Sequence, residues 1–590
     1  MSNAKKWIKR RRSKACYDWA KTHGYSSLIA HLLSGRYSNV SEMESALQST
    51  LKDMDKPNTL PDIDKAARRI AKAVMSNEVI AIETDHDCDG VTSHSIIYEV
   101  LHDIIGHPVN KIRSFIGHRL KEGYGLSDSV ADRIIADSPR PSLVITADNG
   151  SSDEPRIAKL KVHNIDVIVT DHHEIPVEGI PQSALAVVSP AREDSEYPDP
   201  LIAGCMVACL TMAAVRQELI NQGYFKKTPS SVVSVFDYVA LGTVADCVSM
   251  SRSKNNRLVV EYGLKLINEG NRACWRALKP YLGEGKQVTS EDLGFSIGPR
   301  INARGRLDEA MLGVRFLLTK SDTEAVELAD VLDIENNERK RIENELKTSA
   351  MVIAEDYIDQ GYQSLVIFLE NGHSGVHGIV ASRITEAYVR PSIVISPKLG
   401  EPEYVSASAR GVDGFHVRQT LQGVADKYPG LLPKFGGHKG AAGLTIKRVD
   451  IERFRVAFEE ETKLQIAKHS INIGPVILTD GPMLYDYIKL ETIDEYSMLE
   501  PFGREMDAPL FESKLRIVDS KRIGAKQNHL KLTLQAGNKY VNGIWFNVDP
   551  DMNDDQLGIT NGTEKCFLFS LSKNQFRGNT TLQLRIQDAK

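Results

Sequence analysis

The chain has 590 residues, of which 42% are hydrophobic and 26% are charged, and this composition excludes a fully disordered or collagen-like chain. Its 73 basic and 78 acidic residues give a net charge of −5, so any surface for an anionic polymer must be local. No uncharged stretch reaches the roughly 20 residues of a membrane span. The missing span therefore predicts no membrane association. The seven cysteines are scattered along the chain and odd in number, which favours a reducing, cytoplasmic location.

The hydrophobic pattern divides the chain into five regions. Basic and polar helix formers fill residues 1–75. Short β-rich runs alternate with helical stretches over 76–315, which predicts a parallel sheet with helices on both faces. Residues 316–360 contain neither proline nor glycine and predict a long connecting helix. A second α/β pattern covers 361–465, and short alternating strands over 470–590 predict a small β-barrel.

In the first α/β region, three β-rich runs each end in a polar cluster. The clusters are Asp85-His-Asp-Cys-Asp-Gly90, Asp148-Asn-Gly150 and Asp171-His-His173. Ligands of open α/β sheets bind at the carboxyl ends of strands, so we expect these three clusters to converge on one site.

The residue types in these clusters are those of a divalent-metal site. The first cluster has three aspartates at alternate positions, which an extended backbone would place on one side. Carboxylates this close repel one another, and a divalent cation removes the repulsion. Carboxylates with one imidazole suit Mn²⁺ or Mg²⁺ better than zinc, and this many acidic groups favour two ions. The candidate ligands are Asp85, Asp87, Asp89, Asp148, His172 and Asp246.

Two alternative roles for the aspartates fit the sequence less well. Asp-x-Asp-x-Asp-Gly also begins a calcium-binding EF-hand loop, but that loop needs a glutamate at its twelfth position, where Ile96 stands. A single aspartate after a strand is usually a turn former or a helix cap. The coincidence of several clusters in one α/β region favours the metal site.

Residues 84–90, 147–150 and 171–173 resemble the signature clusters of the DHH phosphoesterase superfamily. Sequences farther along resemble the RecJ branch in particular, and the likeness covers about residues 25 to 590. The stretches that carry it are Arg119 with Glu122-Gly-Tyr-Gly125, Ala240–Asp246, Pro299–Leu307, Gly375–Arg383, Phe435–His438 and Pro501–Gly503.

This resemblance implies a multidomain α/β architecture and an activity. The domains would be a parallel-sheet DHH catalytic domain, a connecting helix, an α/β DHH-associated domain and a C-terminal OB-fold. The activity would be 5′→3′ exonucleolytic hydrolysis of single-stranded DNA to 5′-mononucleotides, with two Mn²⁺ or Mg²⁺ ions. DNA repair and recombination would be its setting. We expect a monomer, with a helicase or a single-strand-binding protein as the kind of partner.

The resemblance also assigns roles by position. It implies that Asp148 bridges both ions, that Asp171 orients the histidine pair and that His173 contacts the scissile phosphate. Ser408 and Arg410 would bind a terminal 5′-phosphate. Arg119 is a second candidate for the same pocket. Three residues that could hold backbone phosphates or brace the lobes are Arg300, Asn302 and Arg306. Further candidates for substrate contacts are His373, Gly436, Gly437 and His438.

The chain departs from the family pattern at three positions. His86 and Cys88 stand where the family usually has tyrosine and a small apolar residue, and strand alternation predicts that both side chains point away from the metals. The family's Trp-His-x-Gly element appears as Gly372-His-Ser-Gly375, which removes one packing or stacking contact.

Further functions compatible with the core motifs are a phosphodiesterase for short oligonucleotides or cyclic dinucleotides, a pyrophosphatase, and a non-catalytic DNA-binding scaffold. A small substrate needs neither the long N-terminal region nor the C-terminal β module. A scaffold could lose its carboxylates without losing its fold, whereas all candidate ligands are present here.

In the β module, the basic candidates for strand binding are Lys521, Arg522, Lys526, His529 and Lys531, and the aromatic candidates are Phe502, Phe511, Trp545 and Phe546.

Overall fold

The computed structural model describes residues 6–590 except 119–121, 124, 284, 308–309, 472, 475, 549–552, 555 and 577–578, with the backbone alone at 304, 306, 307, 575 and 576. The described part of the chain forms two compact units. The first contains residues 53–248 and 258–475, and the second contains the residues up to 52 together with 249–257 and 476–590.

The secondary structure is numbered in chain order. The strands are β1 (Lys6–Lys9), β2 (Ile80–Thr84), β3 (Ile112–Ile116), β4 (Leu143–Ala147), β5 (Asp166–Thr170), β6 (Ala186–Val188), β7 (Leu365–Phe368), β8 (Ser392–Pro397), β9 (Tyr404–Arg410), β10 (Lys434–Gly437), β11 (Ala441–Lys447), β12 (Val476–Thr479), β13 (Gly481–Pro482), β14 (Phe511–Ile523), β15 (His529–Ala536), β16 (Lys539–Trp545), β17 (Glu564–Phe576) and β18 (Asn579–Ala589). The α-helices are α1 (Lys14–Thr22), α2 (Ser27–Ser34), α3 (Val40–Gln48), α4 (Ile63–Met75), α5 (Cys88–Glu99), α6 (Asp128–Ala136), α7 (Glu154–Val162), α8 (Gly204–Asn221), α9 (Phe236–Ala245), α10 (Lys254–Glu269), α11 (Ala273–Leu282), α12 (Ser290–Asp292), α13 (Gly298–Leu307), α14 (Met311–Leu318), α15 (Asp322–Asp359), α16 (His377–Tyr388), α17 (Val417–Lys427), α18 (Ile451–His469) and α19 (Leu490–Ser497).

The first sheet is parallel, as the sequence predicts, with strand order β3-β2-β4-β5-β6. Strands β2 and β4 are buried along their whole length, because helices cover both faces of the sheet. In the register of the sheet Thr84 pairs with Ala147, and Ala147 pairs with Thr170. The three strands therefore end at the same level, and the polar clusters that follow them start from one edge.

A buried ionic cluster joins helices α5, α9 and α11 on the sheet's helical layer. Arg272, just before α11, donates to both carboxylate oxygens of Glu99 at 2.6 and 2.9 Å and to Asp237 at 2.5 Å. The indole of Trp275 also donates to Asp237, at 2.7 Å. Glu99 ends α5, and Asp237 lies in the first turn of α9. The cluster thus anchors the far ends of two helices whose other ends reach the polar clusters.

The predicted connecting helix is α15, which has 38 residues and is about 57 Å long at 1.5 Å per residue. It starts later than the sequence predicts, because Ser321 caps it by accepting a hydrogen bond from the Glu324 N–H. Residues 316–318 belong instead to α14. Among the described residues, none of the helices is both long enough and apolar enough to cross a membrane.

The second α/β region contains a mixed five-stranded sheet of order β10-β11-β9-β8-β7. One face packs against α17 and α18 through an apolar core that includes Ile393, Phe415 and Phe454. The other face packs against α15 and α16 through Leu365, Val380 and Val394. Helix α15 therefore contributes directly to the core of this region.

The second unit contains the β-barrel that the sequence predicts. Strands β14, β15, β16, β18 and β17 follow one another, and β14 pairs with β17 to close the barrel. Residues 6–9, which lie in the region of basic and polar helix formers, form strand β1 and pair in parallel with β12. The Trp7 indole of β1 donates to Asp588 at 2.8 Å. Pairing with β12 and this hydrogen bond stabilise an extended backbone, although the local sequence is rich in basic residues.

The Arg272 cluster predicts a large loss of stability when its cation is removed. In Arg272→Ala two buried carboxylates lose their cationic partner, and Asp237 keeps the hydrogen bond from the Trp275 indole, so we expect the free energy of unfolding to fall by about 3–5 kcal/mol. The matched control is Arg276→Ala, because Arg276 pairs with Asp322 at an exposed position, where a loss below about 1 kcal/mol is expected. Urea titrations followed by circular dichroism measure both values. Equal losses in the two variants would contradict this role of the cluster.

Candidate functional site

The acidic cluster after β2 enters a helix at once. Asp87 is the N-cap of α5, and its Oδ1 accepts hydrogen bonds from the N–H groups of Asp89 and Gly90 at 3.0 and 3.2 Å. The expectation that residues 85–89 form one extended segment is therefore wrong, since helix formation begins at Cys88. A Cβ on Gly90 would lie 2.1 Å from the carbonyl oxygen of Asp85, so this turn requires glycine.

Asp148 follows β4 in a left-handed backbone conformation, with a φ of 61°. Aspartate and asparagine adopt this conformation more readily than most other residues with side chains. The Asp148 N–H donates to the carbonyl oxygen of Thr170 at 3.0 Å, which ties the turn to the end of β5. The side chain is almost completely buried.

The structure brings the six candidate ligands into two groups, in each of which the potential ligand atoms lie within 4.8 Å of one another. One group contains Asp85, Asp87 and Asp148, and the other contains Asp89, His172 and Asp246. A third set of the same kind combines Asp148 and His172 with His173.

The imidazole of His172 joins the two groups. Its Nε2 is 3.3 Å from an oxygen of Asp148, 3.7 Å from an oxygen of Asp246 and 3.9 Å from an oxygen of Asp89. Burial lowers the pKa of His172, which favours the neutral ring with a lone pair for a cation. Burial and the neighbouring carboxylates Asp89 and Asp87 raise the pKa of Asp148 well above its usual range. A neutral imidazole among crowded carboxylates has the donor chemistry of a divalent-cation site.

The pKa of Asp87 is raised for similar reasons, first by burial and then by Asp85 and Asp89. Repulsion among the neighbouring carboxylates thus opposes ionisation of all of them at once. Divalent cations would neutralise this negative charge, so the residues present fit Mn²⁺ or Mg²⁺.

Asp171 is buried and binds the histidine pair that follows it in the chain. Its carboxylate accepts hydrogen bonds from the N–H groups of Ser151, His172 and His173 at 3.1, 2.8 and 3.2 Å, and from Nδ1 of His173 at 2.8 Å. Burial alone would raise the pKa of Asp171, but the charge and hydrogen bond of His173 hold it well below its usual range.

His173 carries the opposite shift. Burial opposes protonation, but the adjacent Asp171 carboxylate raises the pKa of His173 to about 10. The ring is 55% exposed, in contrast to the nearly buried His172. A protonated imidazole at the accessible edge of the cluster can donate a hydrogen bond to an anionic oxygen.

The two departures in the first cluster have different outcomes. Nδ1 of His86 lies 2.8 Å from Oδ1 of Asp85, so the expectation that His86 points away from the candidate ligands is wrong. Strand alternation ends at Thr84, and the turn into α5 sets the direction of the later side chains. Cys88 is buried, and burial raises the pKa of its thiol well above the usual range.

In the second α/β region the structure places Ser408 and Arg410 together on β9. Arg410 donates to the hydroxyl of Ser408 at 2.8 Å and to that of Ser382 at 3.1 Å. A Cβ on Gly378 would lie 3.1 Å from the Ser408 hydroxyl and 3.2 Å from the Arg410 guanidinium. The sequence did not single out Ser382, although it lies in the matched stretch Gly375–Arg383.

Arg300 is bound within the protein. Its guanidinium is 2.8–2.9 Å from a carboxylate oxygen of Asp333 and donates to the carbonyl oxygen of Ser296 at 2.7 Å. The ion pair with Asp333 links helix α13 to helix α15. Asn302 is half-buried in α13. Arg119 lies outside the described residues, and so does the side chain of Arg306.

The remaining substrate candidates lie in loops or at an exposed strand. Nδ1 of His373 accepts the N–H of Gly375 at 3.2 Å, and Nδ1 of His438 accepts the N–H of Gly440 at 3.1 Å. A Cβ on Gly372 would lie 2.7 Å from the Cβ of Ser396, so this packing has no room for the family's tryptophan. Gly436 and Gly437 are exposed on β10.

The sequence missed the contact that holds Asp89. The first two backbone N–H groups of α8 donate to its carboxylate, Gly204 to Oδ2 at 2.7 Å and Cys205 to Oδ1 at 3.0 Å. Sequence patterning assigns this segment only to a buried helix. A glycine at the start of an apolar helix was the available signal.

The Asp171–His173 pair predicts a pH-dependent contribution to stability in metal-free protein. Because the pKa of His173 is raised to about 10, the stabilisation is complete below the unfolded pKa of about 6.5 and is lost as the pH rises toward 10. We expect Asp171→Asn to lower the free energy of unfolding more at pH 6 than at pH 9, as measured by urea titration in EDTA.

A surface pair provides the control for this measurement. Asp194 binds Arg192, whose charge does not change between pH 6 and pH 9, so Asp194→Asn should have the same effect at both pH values. If the effect of Asp171→Asn were also constant with pH, the protonated state of His173 would be ruled out as its cause.

Comparison with known proteins places these motifs in a family. Family models match the chain in three stretches: the DHH family N-terminal domain at 79–243, the DHHA1 domain at 361–464 and the RecJ OB domain at 479–588. Two crystal structures share the fold. RecJ in complex with Mn²⁺ from Thermus thermophilus has a TM-score of 0.77 at 23% identity, covering 99% of this chain and 79% of that one. An exonuclease RecJ bound to manganese has a TM-score of 0.56 at 29% identity, covering 68% of this chain and 95% of that one.

Sequence relatives extend over nearly the whole chain. The single-stranded-DNA-specific exonucleases RecJ of Haemophilus influenzae and Salmonella typhimurium are each 34% identical, over 92% of this chain and 92% of the relative. The enzyme of the same name from Escherichia coli is 32% identical with the same coverage. Together with the three domain matches, these identities show that the chain belongs to the RecJ family.

Proposed function

We propose that this protein is a single-stranded-DNA exonuclease that hydrolyses DNA in the 5′→3′ direction and releases 5′-mononucleotides. The observation that carries the proposal is the convergence of two groups of carboxylate and imidazole ligands at the edge of the parallel sheet, in a RecJ-family chain. DNA repair and recombination are the setting that this activity serves.

The two groups of ligands support a pair of Mn²⁺ or Mg²⁺ ions. Asp85 and Asp87 would hold one ion, and Asp89, His172 and Asp246 would hold the other. Asp148 belongs to the first group and lies 3.3 Å from His172 of the second, so its carboxylate would serve both sites. Two bound cations supply positive charge at the scissile phosphodiester and make water a stronger nucleophile.

The protein's own groups position the substrate for this reaction. Protonated His173 donates a hydrogen bond to an oxygen of the scissile phosphate, where negative charge increases during hydrolysis. Asp171 keeps that ring charged and oriented through its 2.8 Å contact with Nδ1. The buried carboxylates are held by a helix N-terminus and by turns, so little rearrangement is needed when the substrate binds.

A terminal phosphate site explains the proposed direction. The hydroxyls of Ser382 and Ser408 fix the guanidinium of Arg410 from two sides. A guanidinium of fixed orientation binds a phosphate through two parallel hydrogen bonds. Gly378 leaves space beside it, since a side chain there would contact both Ser408 and Arg410. We assign this cluster to the 5′-phosphate of the strand.

The outer face of the β-barrel supports binding of a single strand. Lys521 of β14 lies directly opposite Lys531 of β15, an arrangement of like charges that destabilises a sheet unless an anion is bound. The guanidinium of Arg585 is 5.9 Å from the Phe546 ring, and the His529 ring is 5.3 Å from it. Basic groups around an exposed aromatic ring are typical of single-strand binding.

Other candidates in the barrel have structural surroundings. Phe511 is buried in its core, and the ring of Phe502 packs against Tyr496 at 6.4 Å. Arg522 pairs with Asp554 at 3.2 Å. Because these three side chains are used within the barrel, we define the proposed strand-binding face by Lys521, Lys531, Arg585 and Phe546.

Several finer assignments are part of the same proposal. The catalytic domain extends over 76–315, a connecting segment that contains α15 over 316–360 and the associated domain over 361–465, in line with the family matches inside the first and last of these ranges. The protein acts as a monomer in the cytoplasm, with a helicase or a single-strand-binding protein as its partner. His373, His438 and the glycines of β10 contact the DNA backbone.

End-labelled DNA tests the activity and its direction. We expect 5′-phosphorylated single strands to lose a 5′ label at once in Mn²⁺, while strands labelled at the 3′ end shorten gradually. Asp148→Ala should abolish both signals, which excludes a contaminating nuclease. Turnover of di- or trinucleotides without cleavage of a long strand would indicate the small-substrate phosphodiesterase. DNA binding without any turnover would indicate the scaffold.

Arg410→Ala tests the 5′-phosphate site. Hydrogen bonds to a charged group contribute about 1.5–3 kcal/mol, so kcat/KM on a 5′-phosphorylated strand should fall by roughly 10- to 150-fold. The value on a 5′-hydroxyl strand should change little. Arg453→Ala on α18 is the control, because its exposed side chain lies on another element of the same region. An equal loss on both strands would remove the assignment of Arg410 to the phosphate.

A further inference from the structure

We propose that Gly204 and Gly242 are positioning residues for the metal site: their missing side chains let α8 and α9 close on Asp89 and hold it, with Asp148 and Asp246, in metal-binding geometry. The inference rests on the proposed metal function and deepens it. Neither glycine belongs to the acidic clusters, and neither is a ligand.

The start of α8 fixes both oxygens of Asp89. Gly204 donates its N–H to Oδ2 at 2.7 Å, and Cys205 donates its N–H to Oδ1 at 3.0 Å. Each carboxylate oxygen has two lone pairs, so one on each oxygen stays available for a cation. Helix α8 has 18 residues, and the partial positive charge of its N-terminus stabilises the buried carboxylate.

Gly204 allows this approach because it lies between two ligands. A Cβ at position 204 would be 2.8 Å from Oδ1 of Asp148, 2.9 Å from Cβ of Asp148 and 3.0 Å from Oδ2 of Asp89. The Asp148 backbone is tied to Thr170, so it cannot move away without breaking that hydrogen bond. A methyl group would therefore separate α8 from Asp89 or displace Asp148.

Gly242 has the same role within α9. A Cβ there would lie 2.3 Å from the Thr92 hydroxyl of α5, 2.6 Å from the Cys205 sulfur of α8 and 2.8 Å from Oδ1 of Asp89. The carbonyl oxygen of Gly242 also accepts the N–H of Asp246 at 2.9 Å. The packing at this glycine thus sets the position of two ligands, Asp89 directly and Asp246 through the last turn of α9.

A methyl group at either position leaves every ligand in the chain and disturbs only their arrangement. Changes to groups that orient metal ligands typically lower metal affinity by about 10- to 100-fold. We expect this range for Gly204→Ala and Gly242→Ala, with activity largely restored when Mn²⁺ is raised to saturation.

The test measures Mn²⁺ affinity directly. Free Mn²⁺ is quantified by electron paramagnetic resonance in titrations of the full chain, and the melting temperature of each metal-free variant reports folding. Gly294→Ala is the matched control, since its Cβ would lie 3.4 Å from Val244, an ordinary contact on the side of α9. The Kd of this control should stay within about twofold of the wild-type value, because its added Cβ meets no candidate ligand and only one side chain of α9, Val244.

Each outcome is decisive. A Kd raised about 10- to 100-fold in folded variants supports the proposal, and a Kd within about twofold of wild type overturns it. If Gly204→Ala does not fold, the Kd of Gly242→Ala decides between these two outcomes. Position 242 lies inside α9, where alanine has a higher helix propensity than glycine. Loss of folding in both would assign the glycines to packing of the fold and overturn the proposal. A wild-type chain that binds no Mn²⁺ would refute the metal function itself.

Discussion

Repulsion between buried carboxylates is the constraint on which the rest of this structure depends. Five aspartates and one histidine are held in two adjoining groups, and burial together with the neighbouring carboxylates raises the pKa of both Asp87 and Asp148. Without compensation such a cluster would protonate or separate. The fold therefore needs fixed partial charges and hydrogen-bond donors around the carboxylates, and it leaves the remaining negative charge for divalent cations.

Three features supply that compensation. The register of the parallel sheet ends β2, β4 and β5 at one level, which brings the clusters together. The N-terminus of α8 directs two N–H groups at Asp89, and the caps and turns at Asp87 and Asp148 fix their backbones. On the far side, Arg272 ties together the ends of α5 and α9, so the helices that carry ligands cannot separate easily.

The sequence predicts the elements whose signals are local. Apolar runs that end in aspartate clusters predict the parallel sheet and the edge where the clusters meet, and the stretch without proline or glycine predicts α15. The period-2 argument at residues 85–89 is wrong because Asp87 caps a helix, and this cap also turns His86 toward Asp85. The local pattern of residues 6–9 gives no sign of β12, the distant strand with which β1 pairs.

Contacts between distant segments are what the sequence leaves open. The hydrogen bonds from α8 to Asp89 join residues more than a hundred positions apart, and a glycine at the start of an apolar helix does not by itself identify Asp89 as its partner. Arg300 illustrates the same limit, since its motif allows both a phosphate contact and a brace, and the sequence pattern gives no sign of its ion pair with Asp333 in α15. In both cases the contact of a side chain depends on a residue that is distant in the sequence, which residue type alone does not identify.

The most direct test of the central claim compares melting temperatures of wild type and Asp148→Asn at neutral pH, without metal and with Mn²⁺. Asparagine keeps the size of the side chain and tolerates the left-handed backbone, so the change removes mainly charge. Because the pKa of Asp148 is raised, we expect metal-free Asp148→Asn to melt above the metal-free wild type. We also expect Mn²⁺ to stabilise the wild type and to leave the variant almost unchanged. A metal-free variant that melts below wild type and is still stabilised by Mn²⁺ to the same degree would contradict the claim.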